Sequence, residues 1–273
     1  MSAQPLRFGE RLNNLLIVSL LHYKGLCISW QGRGYIARAF VSPLLVVFFV
    51  SLFGKFASDA EAAQRYAIGM AVFAMPFVIA GGFFEAAAYE RTFGTLSVVL
   101  VSRANRLVLY LTRAAVHWVN GLITLAACLL CGWILIGLDF SRVDLLGTAC
   151  AVIALLISSV AFGLLMSNFT TLLFNMTYVY QIMYSVCWLL TGVVIPVDNL
   201  PHGLREISSF IPITHGFSAF RQSFSGAGID VVGGEVLLEI VVGLCYAVAG
   251  FFVFRFMETM ARRRGFLEEA EAA

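Results

Sequence analysis

The chain has 273 residues, 60% apolar and 12% charged, with a net charge of +2 and a mean hydropathy of +0.88. A soluble domain carries roughly 25% charged residues, so too few remain here to coat a water-facing surface of this size. Disordered tails, secreted disulfide scaffolds and nucleic-acid binders are set aside with it. Long unbroken apolar runs favour spanning helices over the alternating strands of a barrel.

Residues 1–35 read as a cytoplasmic lead-in. Leu12, Leu15, Leu16, Ser19, Leu20 and Tyr23 recur at helical spacing, with Arg11, Asn13 and Asn14 off the stripe. This predicts an amphipathic helix along the inner leaflet. Arg7, Glu10 and Arg11 precede no short apolar core with a small-residue cleavage site, so no cleavable signal peptide is expected.

A spanning helix needs about 20 apolar residues. Six stretches qualify: 36–56, 67–87, 114–136, 145–166, 172–195 and 236–254. They make residues 36–256 a six-span domain, with a longest inner loop at 88–113, an outer loop at 196–235 and a charged cytoplasmic tail at 257–273. Arg38, Glu85 and Glu239 sit near span ends, where long side chains reach the interface. With the N-terminus inside, thirteen of the 18 Lys and Arg residues fall on the inner side. The five outside are Lys55, Arg65, Arg142, Arg205 and Arg221. That bias places both termini in the cytoplasm.

The cysteines (Cys27, Cys128, Cys131, Cys150, Cys187 and Cys245) mostly lie in apolar runs and read as small apolar residues. Cys128-x-x-Cys131 has no second pair and no histidine set beside it, so no metal is expected. His117 and Asn120 fall in the third span, and for His117 an interhelical hydrogen bond is the expected role rather than a proton shuttle.

Two loops carry more information. In the inner loop Glu90-Arg91 follows the second span, Gly94 can end its helix and Thr95 can cap the next. Leu96, Val99 and Leu100 then give a short helix one apolar face. It either docks in a partner's groove or lies on the membrane surface. In the outer loop Pro196, Pro201 and Pro212 bracket two short apolar helices, roughly 201–210 and 212–224. Apolar helices that do not span are tolerated at membrane depth only when buried in protein or lining a cavity. A re-entrant hairpin capping a path fits, as does an interfacial pair closing the bundle. His215 is expected to satisfy local backbone. Arg221 is expected either to bind an anionic headgroup or to pair with Asp198 or Glu206.

Glu90-Arg91-x-x-Gly94-Thr95-Leu96 resembles the coupling segment of permeases in the type-2 ABC exporter family. Thr191-Gly192-x-x-x-Pro196-x-Asp198-x-x-Pro201, continuing through Pro212 and His215 to Arg221, is similar to that family's signature after its fifth span. The form of this stretch is closest to drug, lipid and lipo-oligosaccharide exporters. The resemblance implies an all-α integral membrane fold: six transmembrane helices, an N-terminal interfacial helix and a re-entrant outer hairpin between spans five and six. It implies a bacterial inner-membrane permease that moves a hydrophobic or amphipathic small molecule, lipid or lipid-linked glycan outward. Glu90, Arg91, Gly94, Thr95 and Leu96 would couple it to an ATPase. Pro196, Pro201, Pro212, His215 and Arg221 would shape the outer hairpin. Spans one, two and five would line the path, which brings in Phe40, Phe48, Phe49, Met75, Phe77, Tyr178, Gln181, Tyr184 and Trp188.

No G-x-x-x-x-G-K-[ST] phosphate loop occurs, and Gly54-Lys55 is followed by Phe56. The chain is therefore expected to bind no cofactor and to catalyse nothing itself. ATP and Mg would reside on two copies of a nucleotide-binding subunit, beside a second permease (as a homodimer) and membrane lipid. Rival readings are an ion-coupled secondary transporter or a non-transporting assembly subunit. The first wants more buried ionisable groups than occur here. Intramembrane enzymes would need aspartate clusters, Gly-x-Ser-Gly or His-Glu-x-x-His, which the spans lack.

Overall fold

The computed structural model describes residues 17–21, 24, 41–57, 60–92, 106–169, 176–193 and 196–263, and all regular structure among them is helical. In chain order the helices are α1 (Ser42–Ala57), α2 (Ala60–Thr92), α3 (Arg106–Ile136), α4 (Leu145–Phe169) and α5 (Met176–Leu190). A 3-10 turn at Val197–Asn199 leads into α6 (His202–Phe210), α7 (Thr214–Phe224) and α8 (Ile229–Arg263).

Four stretches are long and apolar enough to cross a bilayer: Gln64–Phe84, Ala115–Ile136, Leu145–Asn168 and Ile229–Phe256. They coincide with the second, third, fourth and sixth expected spans. The first and fifth fall on α1 and α5, whose described lengths are 16 and 15 residues. Among the described residues, therefore, four helices and not six have crossing length. The two short outer helices lie where the proline spacing predicts them. Of the lead-in, residues 17–21 and 24 are helical. Ser19 faces the bundle and donates to the Thr112 carbonyl at 2.6 Å, while Ile17, Leu20 and Leu21 are exposed.

The helix ends follow local chemistry. Gly137 takes φ 71 just past α3, and its N–H still reaches the Trp133 carbonyl at 3.0 Å. A left-handed residue here closes the last turn without a Cβ penalty. Asp144 precedes α4 and accepts from the Gly147 N–H at 2.6 Å, a side-chain N-cap. Pro76 sits inside α2, where its ring removes one helix hydrogen bond.

α2 and α4 form the centre. α1 and α3 flank α2, α8 flanks α4, and α7 fills the space between α4, α8 and α2. On α2, Ala71, Val72, Phe73, Met75, Ile79 and Phe83 are fully buried. Lipid supplies no hydrophobic drive between helices, so close approach and interhelical hydrogen bonds hold the bundle. The α4–α8 seam shows both. A Cβ on Gly243 would lie 3.0 Å from the Ser158 Cα, and Asn168 Nδ2 donates to the Gly250 carbonyl at 2.9 Å. On the α2–α3 side, the buried His117 ring lies directly over Gly82, where any Cβ would collide with it. Outward faces of α3 and α8 carry Trp118, Trp133, Ile134, Leu237, Leu244 and Phe252, as surfaces in lipid require.

Candidate translocation and coupling elements

α6 and α7 form the helix pair expected as an outer hairpin. α6 is amphipathic, with Leu204, Ile207 and Phe210 exposed, and its buried Ser208 donates to the Leu190 carbonyl at 2.6 Å. That bond ties the hairpin to the end of α5. Pro196 and Pro201 stand before the 3-10 turn and α6 with φ of −50 and −52, as N-cap residues. Pro212 is buried in the tight turn that reverses the chain between α6 and α7.

The next residue, Ile213, is the only non-glycine with positive φ among the described residues, at φ 88 and ψ −28, and its side chain is fully buried. A β-branched residue in this region costs on the order of 1–3 kcal/mol. The surrounding contacts offset it. Glu239 of α8, 0% exposed, accepts the Ile213 N–H at 2.7 Å with one carboxylate oxygen and the Gly216 N–H at 2.8 Å with the other. The Ser158 hydroxyl of α4 adds a contact to the same carboxylate. These N–H groups open α7, where a helix end favours negative charge. Gly216 is needed for the approach: a Cβ there would lie 2.7 Å from the Leu155 side chain and 3.0 Å from Glu239 Cγ.

His215 does meet backbone, as its position in the sequence led one to expect. Its Nε2 lies 3.1 Å from the Ser209 carbonyl, and its Nδ1 lies 2.7 Å from a Glu235 carboxylate oxygen. Arg221 departs from the ion pair with Asp198 or Glu206. Asp198 pairs with Arg205 at 2.8 Å and Glu206 with His202 at 3.3 Å, both at the exposed surface. These neighbours share α6 or its lead-in turn, and short local pairs form with less side-chain ordering than one reaching across to α7. Arg221 instead donates to the Gly192 carbonyl at 3.3 Å and lies 4.7 Å over the Phe217 ring. Burial and the neighbouring Arg65 guanidinium push its pKa down to about 10, which leaves it charged at neutral pH.

The residues expected along a path divide into three groups. Met75 and Phe77 are buried on α2. Phe77 packs against Phe73 (4.4 Å between centroids), Tyr184 (4.7 Å), Tyr180 (6.2 Å) and Phe162 (6.4 Å). Tyr184 and Trp188 line the α5 face against α2, where Trp188 Nε1 donates to Met70 Sδ at 3.2 Å. Tyr180, which the sequence did not single out, is the firmest α5–α2 link, its hydroxyl donating to the Phe77 carbonyl at 3.0 Å. Phe48 and Phe49 on α1, and Tyr178 and Gln181 on α5, are exposed.

At its C-terminal end α2 continues as helix through Glu90 and Arg91 to Thr92, and α3 begins at Arg106. Gly94, Thr95 and Leu96 lie outside the described residues, as does Phe40.

Helices of crossing length, apolar outward faces and a bundle packed through small and hydrogen-bonding residues define an α-helical integral membrane protein. The particular kind follows from comparison with known proteins. The chain belongs to the ABC-2 type transporter family, whose profile matches residues 18–225. It is also similar to the probable multidrug ABC transporter permease YbhS of Escherichia coli strain K12, with 25% identity over 162 residues. The same protein of Escherichia coli O157:H7 matches equally. The matched part is 59% of this chain and 41% of the relative, so the chain spans about two fifths of the length of the curated relatives it matches.

Proposed function

We propose that the chain is the membrane permease of an ATP-driven exporter for a hydrophobic or amphipathic small molecule, lipid or lipid-linked glycan. It works as one of two permeases, most simply a homodimer, with ATP hydrolysed on two copies of a separate nucleotide-binding subunit. In this reading α1 and α5 complete six spans in the bacterial inner membrane. Both termini are cytoplasmic, the N-terminal helix lies on the inner leaflet, and α6–α7 dips back from the outer face. Glu90, Arg91, Gly94, Thr95 and Leu96 receive the motion of the ATPase through charge-assisted and apolar contacts, and the two permeases shift between packings.

One observation carries the reading beyond the family itself. α5 turns Tyr178, Gln181 and Ser185 outward from this chain, with Tyr178 66% exposed. An amide such as Gln181 is costly against lipid. Gln181, exposed on this helix beside Ile182, Val186 and Leu189, therefore supports a path, or a second permease, on that side. Aromatic and polar side chains together suit an amphipathic substrate.

The test is purification of the tagged chain in mild detergent from its own cells, with identification of co-purifying chains and assay of vanadate-sensitive ATP hydrolysis. A stoichiometric partner with a phosphate loop, released by Glu90→Ala with Arg91→Ala, is the expected result. A clean homomer without ATPase activity would overturn it and bring the ion-coupled or assembly reading forward.

A further inference from the structure

The two ends of α7 are fastened to different parts of the bundle. Its first turn is held by Glu239 of α8, with Ser158 of α4 beside the carboxylate. Its last turn holds the chain just beyond α5, through Arg221 to the Gly192 carbonyl. That same exit turn lies tight on α2: a Cβ on Gly69 would come within 2.7 Å of the Val193 carbonyl oxygen. α7 thus bridges the close-packed α4–α8 pair and the outer end of α5.

Glu239 and the hairpin depend on each other. A carboxylate that is fully buried is costly unless hydrogen bonds surround it, and two of the bonds that do so come from the N–H groups opening α7. The turn in turn holds Ile213 at positive φ, a conformation that persists only where its surroundings over-determine it. Glu235, one helical turn earlier on the same face of α8, grips the adjacent His215.

We infer that Glu239 is a positioning residue for export: it anchors the outer hairpin on α8 so that α7, acting as a strut, sets where the outer end of α5 stands. The role in export rests on the permease reading above; the anchoring does not.

The experiment compares wild type with Glu239→Gln and Glu239→Asp, each as the full chain with its ATPase in lipid nanodiscs, by amide hydrogen exchange. The glutamine keeps one acceptor and turns an NH2 toward the other N–H. The aspartate keeps the carboxyl group but is one methylene short of reaching both, so it reports even if the glutamine chain fails to accumulate. Exchange in segment 211–217 should rise at least about tenfold in either variant, with 145–168 and 115–136 unchanged. In inverted vesicles, ATP-driven movement of ethidium should fall by a similar factor while the ratio of ATPase to permease stays constant. Unchanged exchange at 211–217 would overturn the anchoring. An equal rise across all helices would overturn it too, reducing Glu239 to a general contributor to stability. Tenfold faster exchange with full ethidium transport would remove the role in export. Wild-type vesicles that move no ethidium on ATP would count against this substrate class, and the exchange result would still decide the anchor.

Discussion

Replacing Phe77 by Ala separates packing from path lining at a residue that the family resemblance brings toward a path. Phe77 is 4% exposed and touches four aromatic rings, with centroids from 4.4 to 6.4 Å away. In water-soluble cores Phe→Ala costs about 3–5 kcal/mol, part transfer and part cavity. In lipid the separated helices are already in an apolar medium, so the transfer part shrinks and the packing part stays. Four ring contacts at about 0.5 kcal/mol each set a floor near 2 kcal/mol. The expected loss is therefore about 2–4 kcal/mol, while Phe77→Leu, which keeps most of the volume, costs under about 1.5 kcal/mol. Unfolding of the purified chain in bicelles, followed by steric trapping, measures both. Transport per folded molecule should be little altered in the leucine variant. Phe77→Ala with undiminished stability but a changed substrate range would refute the assignment of this ring to the interior and return it to the path.

Three further outcomes follow from the helix contacts. Gly243→Ala should destabilise by about 1–3 kcal/mol because its methyl meets the Ser158 Cα at 3.0 Å. Gly233→Ala, with nothing within 4 Å, should be neutral or stabilising. Equal behaviour of the two in thermal unfolding would show that the α4–α8 seam is not tight. Asp144→Ala removes the cap that holds the Gly147 N–H at 2.6 Å and should cost about 0.5–2 kcal/mol. Asn replaces it with little loss, and exchange at the start of α4 reads the difference. Asn168→Leu breaks the bond to the Gly250 carbonyl and should cost about 0.6–1.7 kcal/mol, seen as a lower midpoint in the same unfolding assay.

The helical class and the bounds of the two short helices α6 and α7 were legible because each rests on short-range signals. Long apolar runs gave the long helices. Pro196, Pro201 and Pro212 gave the bounds of α6 and α7, since proline fixes its own φ and constrains the residue before it. The anchor was not legible. Glu239 read as a span-end acid reaching the interface, whereas it is fully buried, and its partners are backbone N–H groups, which every residue type shares. Arg221 misled for a related reason: complementary charge in the same loop suggested Asp198, whereas the chain folds so that Arg221 finds a carbonyl and a ring. Tyr180 and Tyr184 look alike in sequence at one helical turn apart and both set a ring edge-on to Phe77, and only the packing of α5 on α2 shows that Tyr180 also bonds across through its hydroxyl.

The proline inside α2 bears on how any push could travel. α2 runs 33 residues without interruption, about 50 Å at 1.5 Å per residue, some 20 Å more than a hydrocarbon core. Its C-terminal end carries Glu90 and Arg91, and its N-terminal half carries Gly69, seated against the turn that follows α5. Between them Pro76 offers no amide to the Val72 carbonyl one turn earlier, leaving a compliant joint in an otherwise stiff beam. A thrust applied at the C-terminal end would reach the N-terminal half as a change of tilt more readily than as a slide along the axis. The end of α5, seated on α2 at Gly69 and tied through Arg221 of α7 to the α4–α8 pair, stands where such a tilt would meet resistance.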